Sequence, residues 1–475
     1  MTAIPDVGDR VRADRLAFLI DAAPYFQAFT DAVSRARRSV LILGWEVDSG
    51  IRLLRPGRGD DGGPTLADFL SGVLRDRPEL DIHVLCWDWS MIYVFEREPW
   101  PRKRMGDDTH DRLHFELDGR HPAGASHHEK VVVVDDRVAF IGGIDLGRRR
   151  WDTHRHDPDD PRLRSPSDHP YRPFHDVQAV VSGPVARALG DRARRRWRRA
   201  TGEDLDVPRT PPDHDPWPTG VEPVLRETPL RLVRTDPADD LYETEAWHVA
   251  AIRSARRAVY LENQYLTSDT VGRELASCLD RTPTPEIVVV TSKESGGWLE
   301  QASMDAFRAR ILRTLEGRDP GGKVAAWWPD PGHGDSPTVH TKLTVVDDRL
   351  AYLGSANLSN RSMGLDTESG LTFDAGDDAR LEDVIRGLRR SLLAEHLDVT
   401  RDAVAAAEDA AGGIISGVER LRGGTRTLRD LDVAPHLLSE VLDPIRGLVD
   451  PERPADLGDL VSGLPWTSEH DATDG

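Results

Sequence analysis

The sequence has 475 residues, of which 38% are hydrophobic and 30% charged, with a formal net charge of −20. This balance reads as a globular chain of two or three domains, and the acidic total argues against a broad positive footprint for duplex nucleic acid. Cys86 and Cys278 alone exclude a disulfide framework and a cysteine-rich metal centre, leaving two buried thiols as the expectation. Met1 to Arg12 carries Asp6 and Asp9 and no apolar core, and no run of about 18 apolar residues occurs. A cytoplasmic protein that touches lipid only from the surface is therefore expected.

Short apolar runs alternate with helical patterns. Leu16 to Ile20 reads as a strand, Tyr25 to Arg37 as a helix, Ser39 to Gly44 as a strand, Leu66 to Arg75 as a helix and Asp81 to Cys86 as a strand. The order returns at Leu230 to Arg234, Tyr242 to Arg256, Ala258 to Leu261, Val271 to Leu279 and Glu286 to Thr291. Ala36-Arg37-Arg38 and Ala255-Arg256-Arg257 precede corresponding strands. Strands alternating with helices predict an α/β class. Between the halves, Gly202 to Pro223 holds Pro208, Pro211, Pro212, Pro216, Pro218 and Pro223, a linker composition. The expected divisions are residues 1–201, a linker at 202–223, residues 224–398, and a partly helical extension over 399–475 with a short helix at Ala403 to Ala411.

The strongest signal is an internal repeat. His128-Glu129-Lys130 runs through four valines to Asp135-Asp136-Arg137. His340-Thr341-Lys342 runs in the same spacing to Asp347-Asp348-Arg349. Both copies continue to Gly142 or Gly354 and close at Leu146 or Leu358. Each reads as a β-hairpin turning at Asp-Asp-Arg, which gives Asp135 and Asp347 structural roles at the turn. Residues two apart on a strand share a face, so each His points the same way as its Lys. Basic residues are almost all Arg, and the lysines are Lys103, Lys130, Lys293, Lys323 and Lys342. Two of them occupy the same repeat position, which argues for a specific need for a compact ammonium.

A phosphodiester fits that need. Its transition state spreads negative charge over phosphoryl oxygens, so cations and positioning do most of the work. Two lysines, one per half, can clamp the non-bridging oxygens without a metal. Two imidazoles can divide nucleophile and acid roles near neutral pH.

The doubled H-x-K-x4-D pattern, followed by Gly142-Gly143 or Gly354-Ser355, resembles the phospholipase D superfamily over about residues 15–398. Further matches are Gly142-Gly143-Ile144-Asp145-Leu146, Arg150-Trp151-Asp152-Thr153, His175-Asp176-Val177, Glu262-Asn263-Gln264-Tyr265, Gly354-Ser355-Ala356-Asn357 and Arg361-Ser362. The resemblance implies two similar α/β sandwich domains with mixed sheets, packed face to face about a pseudo-two-fold axis, with the active site in the cleft between them. It implies His128 as nucleophile, forming a phosphohistidine, and His340 as general acid and then base. Lys130 and Lys342 would hold phosphate oxygens, with Asn357, Ser355, Gly143 and Asp145 at the substrate. Asp145 stands where the second half has Asn357, so the halves differ there. A carboxylate behind each imidazole is implied as well: Asp176 for His128, and Glu368 for His340, with Asp366 competing. The expected activity is hydrolysis or transphosphatidylation of glycerophospholipid at a membrane surface by a monomer, with water or an alcohol as acceptor and no cofactor, metal or nucleic-acid partner. A nuclease or end-processing enzyme, a cardiolipin-synthase-like transferase and a noncatalytic phosphate-binding protein are the alternatives.

Blander readings apply to other features. His127-His128-Glu129 as a metal cluster conflicts with strand alternation, since neighbours face opposite ways. The run Arg192, Arg194, Arg195, Arg196, Arg198 and Arg199 is expected to be a helix face paired with acids rather than an anion patch. Trp87, Trp89, Trp298, Trp327 and Trp328 divide between core and a lipid-facing cleft, with Trp298 the candidate for substrate contact.

Overall fold

The computed structural model describes residues 6–55, 57, 63–88, 104–105, 109–122, 124–294, 298–319, 321–432 and 450–453, with residues 298–302 described by backbone alone. Trp89 and the side chain of Trp298 lie outside these residues.

The first half holds strands β1 (Asp9–Ile20), β2 (Ser39–Gly44), β3 (Asp81–Trp87), β4 (Leu113–Asp118), β5 (Val131–Val134), β6 (Val138–Gly142), β7 (Phe174–His175) and β8 (Val177–Ser182). The second holds β9 (Leu225–Asp236), β10 (Leu241–Tyr242), β11 (Ala258–Asn263), β12 (Glu286–Val290), β13 (Val324–Asp330), β14 (Thr338–Val339), β15 (Lys342–Val346), β16 (Leu350–Gly354) and β17 (Glu368–Asp374), and β18 (Thr427–Asp430) follows. The helices are α1 (Ala22–Ser34), α2 (Leu66–Asp76), α3 (Pro184–Thr201), α4 (Glu243–Ser254), α5 (Asp269–Leu279), α6 (Trp298–Glu316), α7 (Asn360–Gly364), α8 (Ala379–Leu397), α9 (Arg401–Ala411) and α10 (Ile414–Leu421).

The strand order within the first half is β1-β8-β6-β5-β2-β3-β4, and the second half repeats it as β9-β17-β16-β15-β11-β12-β13. The class is α/β with a mixed sheet: β2, β3 and β4 run parallel, as do β11, β12 and β13, and the repeat hairpins are antiparallel. The halves do not carry separate sheets. β1 pairs antiparallel with β9, from Asp9 opposite Leu232 to Leu16 opposite Leu225, and joins them into one sheet. This junction was invisible to pattern reading because residues 9–15 mix charge with partial exposure and carry no apolar run. The sheet curls, so that β6 touches β16 and β17 from across the junction.

Alternation explains the layering. Val131 and Val133 join one core with Leu353, Leu371 and α8, whereas Val132 and Val134 face a second core with α1 and α2. A third core packs α4 and α5 on the second half. A run of four valines is buried on both faces, which suits β-branched side chains in a covered strand.

Each repeat turn is held by its aspartate. Asp135 and Asp136 adopt φ 54°, as Asp347 and Asp348 do at φ 56° and 57°. The Asp135 carboxylate accepts backbone N–H groups of Arg37, Arg38 and Ser39 at 2.8–2.9 Å, and Asp347 accepts those of Arg256, Arg257 and Ala258 at 2.7–2.9 Å. The recurring Ala-Arg-Arg tripeptide thus marks the backbone that each motif aspartate caps.

Two segments are more integrated than their composition suggests. The Pro-rich stretch forms no helix or strand, yet His214 lies 2.6 Å from Asp135, Trp217 is buried under Arg15, and Asp215 pairs with Arg15. The region beyond residue 399 adds α9, α10 and the edge strand β18 on β13, and Asp450 accepts backbone N–H groups of Asn360 and Arg361. In the arginine run, Arg192, Arg194, Arg196, Arg198 and Arg199 pair with Asp9, Asp136, Asp191, Asp118, Asp204, Asp236 and Asp239. Trp327 is fully buried between β12 and β18. Both cysteines are buried free thiols.

Candidate active site

The two H-x-K segments reach one centre through a pair of short backbone ladders. β14 runs parallel to β7, and the N–H of His340 continues the ladder to the carbonyl of His175 at 2.8 Å. Correspondingly, the N–H of His128 donates to the carbonyl of Thr367 at 3.0 Å, and that of Thr367 to Ser126 at 3.0 Å. Each histidine is thereby docked beside the residue that precedes a carboxylate of the other half.

The side chains follow. His128 Nδ1 lies 2.9 Å from Glu368 Oε1, and His340 Nδ1 lies 2.6 Å from Asp176 Oδ2. The carboxylates expected from the sequence are the ones present, but the pairing is crossed: Glu368 serves His128, and Asp176 serves His340. Assigning them within halves followed chain order, whereas the ladders that decide the matter run between halves. Asp366 supports the backbone instead, accepting the N–H of Ser126 at 2.7 Å and pairing with Arg361.

Both lysines are buried, and each donates to the carbonyl of its own motif histidine, Lys130 to His128 at 2.9 Å and Lys342 to His340. Lys130 also pairs with Asp145 at 3.3 Å, and the same carboxylate accepts the N–H of Trp45 at 2.9 Å. Asp145 therefore fixes Lys130 and the end of β2. Among the described residues no carboxylate lies within ion-pair distance of Lys342, which approaches Gln264 Oε1 at 3.4 Å. Ser355 donates to Glu368 and accepts the N–H of Ser369 at 3.1 Å, so it orients that carboxylate. A Cβ at Gly143 would stand 2.2 Å from Asp176 Oδ1, which explains the glycine. The buried Asn357 amide oxygen has no partner among the described residues.

Burial dominates the electrostatics. Both imidazoles are held well below the usual histidine range, first by burial and then by Lys130 and Lys342, so both are neutral at rest. Burial pushes Asp176 and Glu368 up to about 7, against the pull of the lysines. Lys342 is pushed down to about 7 by burial, with Asp176 opposing and Lys130 adding repulsion. With Nδ1 tied to a carboxylate, each neutral imidazole carries its lone pair on Nε2. A phosphodiester anion would offset the lysine charges and favour protonation of one ring.

Three further groups shape the centre. Trp45 sets its edge toward His128, with ring centroids 6.4 Å apart. Arg150 lies over Phe174, which packs against His340 at 5.1 Å, and the guanidinium helps depress His340. Gln264 faces Lys342. Trp45 and Gln264 both follow the carboxyl end of a first parallel strand, β2 and β11, a position where α/β sheets place ligand groups. That position was the signal available for them. Among the described residues, groupings with metal-ligand spacing involve neither His128 nor His340.

A mixed α/β sheet thus brings two carboxylate-anchored imidazoles and two ammonium groups into one centre, an arrangement suited to a phosphodiester anion. Comparison with known proteins agrees. A family model described as the PLD-like domain of cardiolipin synthase matches residues 249–383. Phospholipase D alpha 1 of Carica papaya is 25% identical over 78% of this chain and 63% of its own length. The Zea mays phospholipase D alpha 1 gives 25% over the same shares. A solved structure of phosphatidylserine synthase from Haemophilus influenzae superposes with TM-score 0.54 at 15% identity, covering 78% of this chain and 86% of that one, and so shares the fold. Together these similarities support a member of the phospholipase D superfamily. The chain spans 63% of the length of those plant relatives. Among the described residues, no helix is long and apolar enough to cross a membrane.

Proposed function

We propose that this chain hydrolyses or transphosphatidylates glycerophospholipids through a phosphohistidine, without a metal in the chemical step. The observation that carries the reading is the crossed pair of His–carboxylate contacts flanked by two buried lysines. With the phosphodiester anion bound, His340 takes up a proton on Nε2; His128 Nε2 then attacks phosphorus, and the bond to the leaving alcohol breaks as His340 delivers that proton to its oxygen. Water or an alcohol then gives its proton to His340 and attacks the phosphorus, releasing His128. Glu368 and Asp176 keep the tautomers fixed and stabilise the charge that forms on each ring. Lys130 and Lys342 take the non-bridging oxygens, and rotation of the Asn357 amide presents its NH2 group to the same ligand.

The lipid assignment draws on the plant relatives, whose names state phospholipase D activity, on the acidic net charge and on the arginine helix paired with acids. Both motifs come from one chain, so a monomer at the membrane surface suffices. The test is product analysis on mixed phospholipid vesicles with ethanol and EDTA, with His340→Ala as control. Phosphatidic acid and phosphatidylethanol from the unsubstituted protein alone are the expected products. Cleavage of single-stranded DNA with no lipid product would move the chain to the nuclease reading, and joining of two phospholipids to the cardiolipin-synthase one.

A further inference from the structure

Behind His340 lies a second cluster that the proposed reaction does not use. His156 Nε2 and His175 Nδ1 are 3.2 Å apart, and both approach Glu395 Oε1, at 2.9 and 3.0 Å. Asp21 Oδ1 completes the group, 3.1 Å from His175 Nδ1 and 3.7 Å from His156 Nε2. Asp21, His156 and His175 are buried, and Glu395 is nearly so.

The outer nitrogens of both rings are already committed. His156 Nδ1 lies 2.8 Å from Asp152 Oδ2, and His175 Nε2 lies 2.8 Å from Glu262 Oε1. Those carboxylates are themselves anchored, Asp152 by the N–H groups of Phe174 and Thr153 and Glu262 by the Tyr260 hydroxyl. An ionised carboxylate only accepts, so each outer nitrogen carries an N–H, which leaves the inner nitrogen as the one able to present a lone pair to a metal ion. Two lone-pair nitrogens and two carboxylate oxygens therefore converge on one point. Protonating both rings instead would aim two N–H groups of two cations at each other across 3.2 Å. The other Asp21 oxygen, Oδ2, is buried with no partner among the described residues, and Asp21 itself is held at φ 67°.

We propose that Asp21, His156, His175 and Glu395 form a buried tetrahedral site for a divalent first-row metal ion, zinc by its donor set. Zinc bonds to nitrogen and oxygen of about 2.0–2.2 Å place tetrahedral donors about 3.3 Å apart, and the measured separations bracket that value. Two carboxylates and two neutral imidazoles balance the charge of a divalent ion, which burial requires. The carboxylates behind each imidazole supply the outer support that metal-bound histidines need. The ion would be structural, with four protein ligands and no open position. It would tie the first half to α8 of the second and brace Asp176: Asp176 follows His175 directly, and the N–H of Asp21 donates to its carbonyl at 2.8 Å.

The test is metal analysis of the untagged full chain after desalting, with X-ray absorption at the metal edge. About one zinc per chain, bound to two imidazole nitrogens and two oxygens near 2.0 Å, is expected. Stripping with dipicolinate should lower Tm, and zinc sulfate should restore it. Glu395→Gln and His156→Asn should each cut metal content by about 10-fold or more. His333→Ala, in the surface cluster with Asp157 and Asp159, should leave it unchanged. Purified protein holding only trace metal, and not stabilised by added zinc, would overturn the site. So would metal retained in both ligand variants, or an absorption spectrum without imidazole scattering.

Discussion

Asp176 and His340 are 164 positions apart and come from opposite halves, yet their Oδ2 and Nδ1 atoms stand 2.6 Å from each other. The candidate centre is thus assembled only when the halves dock. Substituting Asp176 by Asn removes the anion that fixes the His340 tautomer while keeping the shape. A fall in kcat of about 10^3-fold with little change in KM is expected from steady-state kinetics. Retention of more than about a tenth of the activity would remove Asp176 from the mechanism.

Lys342 is fully buried, and its ammonium is depressed to about 7. Its charge is maintained at a cost to the empty protein. Lys342→Met should abolish turnover and stabilise the fold by about 1–3 kcal/mol in denaturant unfolding. A destabilised Met variant would mean that the ammonium is a structural tether.

The pH profile follows from the same shifts. The proposed reaction needs ionised Asp176 and Glu368, both pushed up to about 7, and a charged Lys342, pushed down to about 7. kcat/KM should therefore rise as pH approaches 7 from below and fall above it. For stability the signs are opposite in origin. The raised carboxylates bind more protons folded than unfolded, so their contribution is present below about pH 4 and is lost as pH rises through about 7. The depressed lysine binds fewer, so its contribution is present above about pH 10 and is lost as pH falls through about 7. Without ligand, thermal stability should pass through a local minimum near pH 7, readable in a series of calorimetric scans.

Gly143→Ala should press a methyl group onto the Asp176 carboxylate, whose other oxygen is fixed by His340 and whose Oδ1 accepts the N–H of Val177 at 2.7 Å. Displacing this support should lower kcat by about 10- to 100-fold at nearly constant KM. Unchanged kcat would show that the carboxylate can move without consequence.

Asp135→Ala deletes three charge-assisted bonds to backbone N–H groups and a contact with His214. Stability should drop by about 2–4 kcal/mol, while kcat per folded molecule stays near that of the parent. A selective loss of kcat would assign the motif aspartate to the chemistry.

How much of this was legible in the sequence differs by feature. The H-x-K spacing is local and recurs ahead of each repeat hairpin, so His128, Lys130, His340 and Lys342 could be read directly. The capping roles of Asp135 and Asp347 were foreshadowed by the repeated turn and the repeated Ala-Arg-Arg. Strand cores such as Ser39–Gly44 were legible because buried valine, leucine and isoleucine leave a pattern.

Other features depend on segments far apart in the chain. The merging of two sheets at β1 and β9, the exchange of Glu368 and Asp176 between halves, the anchoring of the Pro-rich strap and the convergence of Asp21, His156, His175 and Glu395 leave no periodic trace. The histidines and lysines of the centre are legible in the chain because their spacing is local to each repeat hairpin. Only the tertiary structure decided which imidazole each carboxylate serves, because that choice is made by backbone ladders between halves, where hydrogen-bond partners are selected by docking and not by chain order.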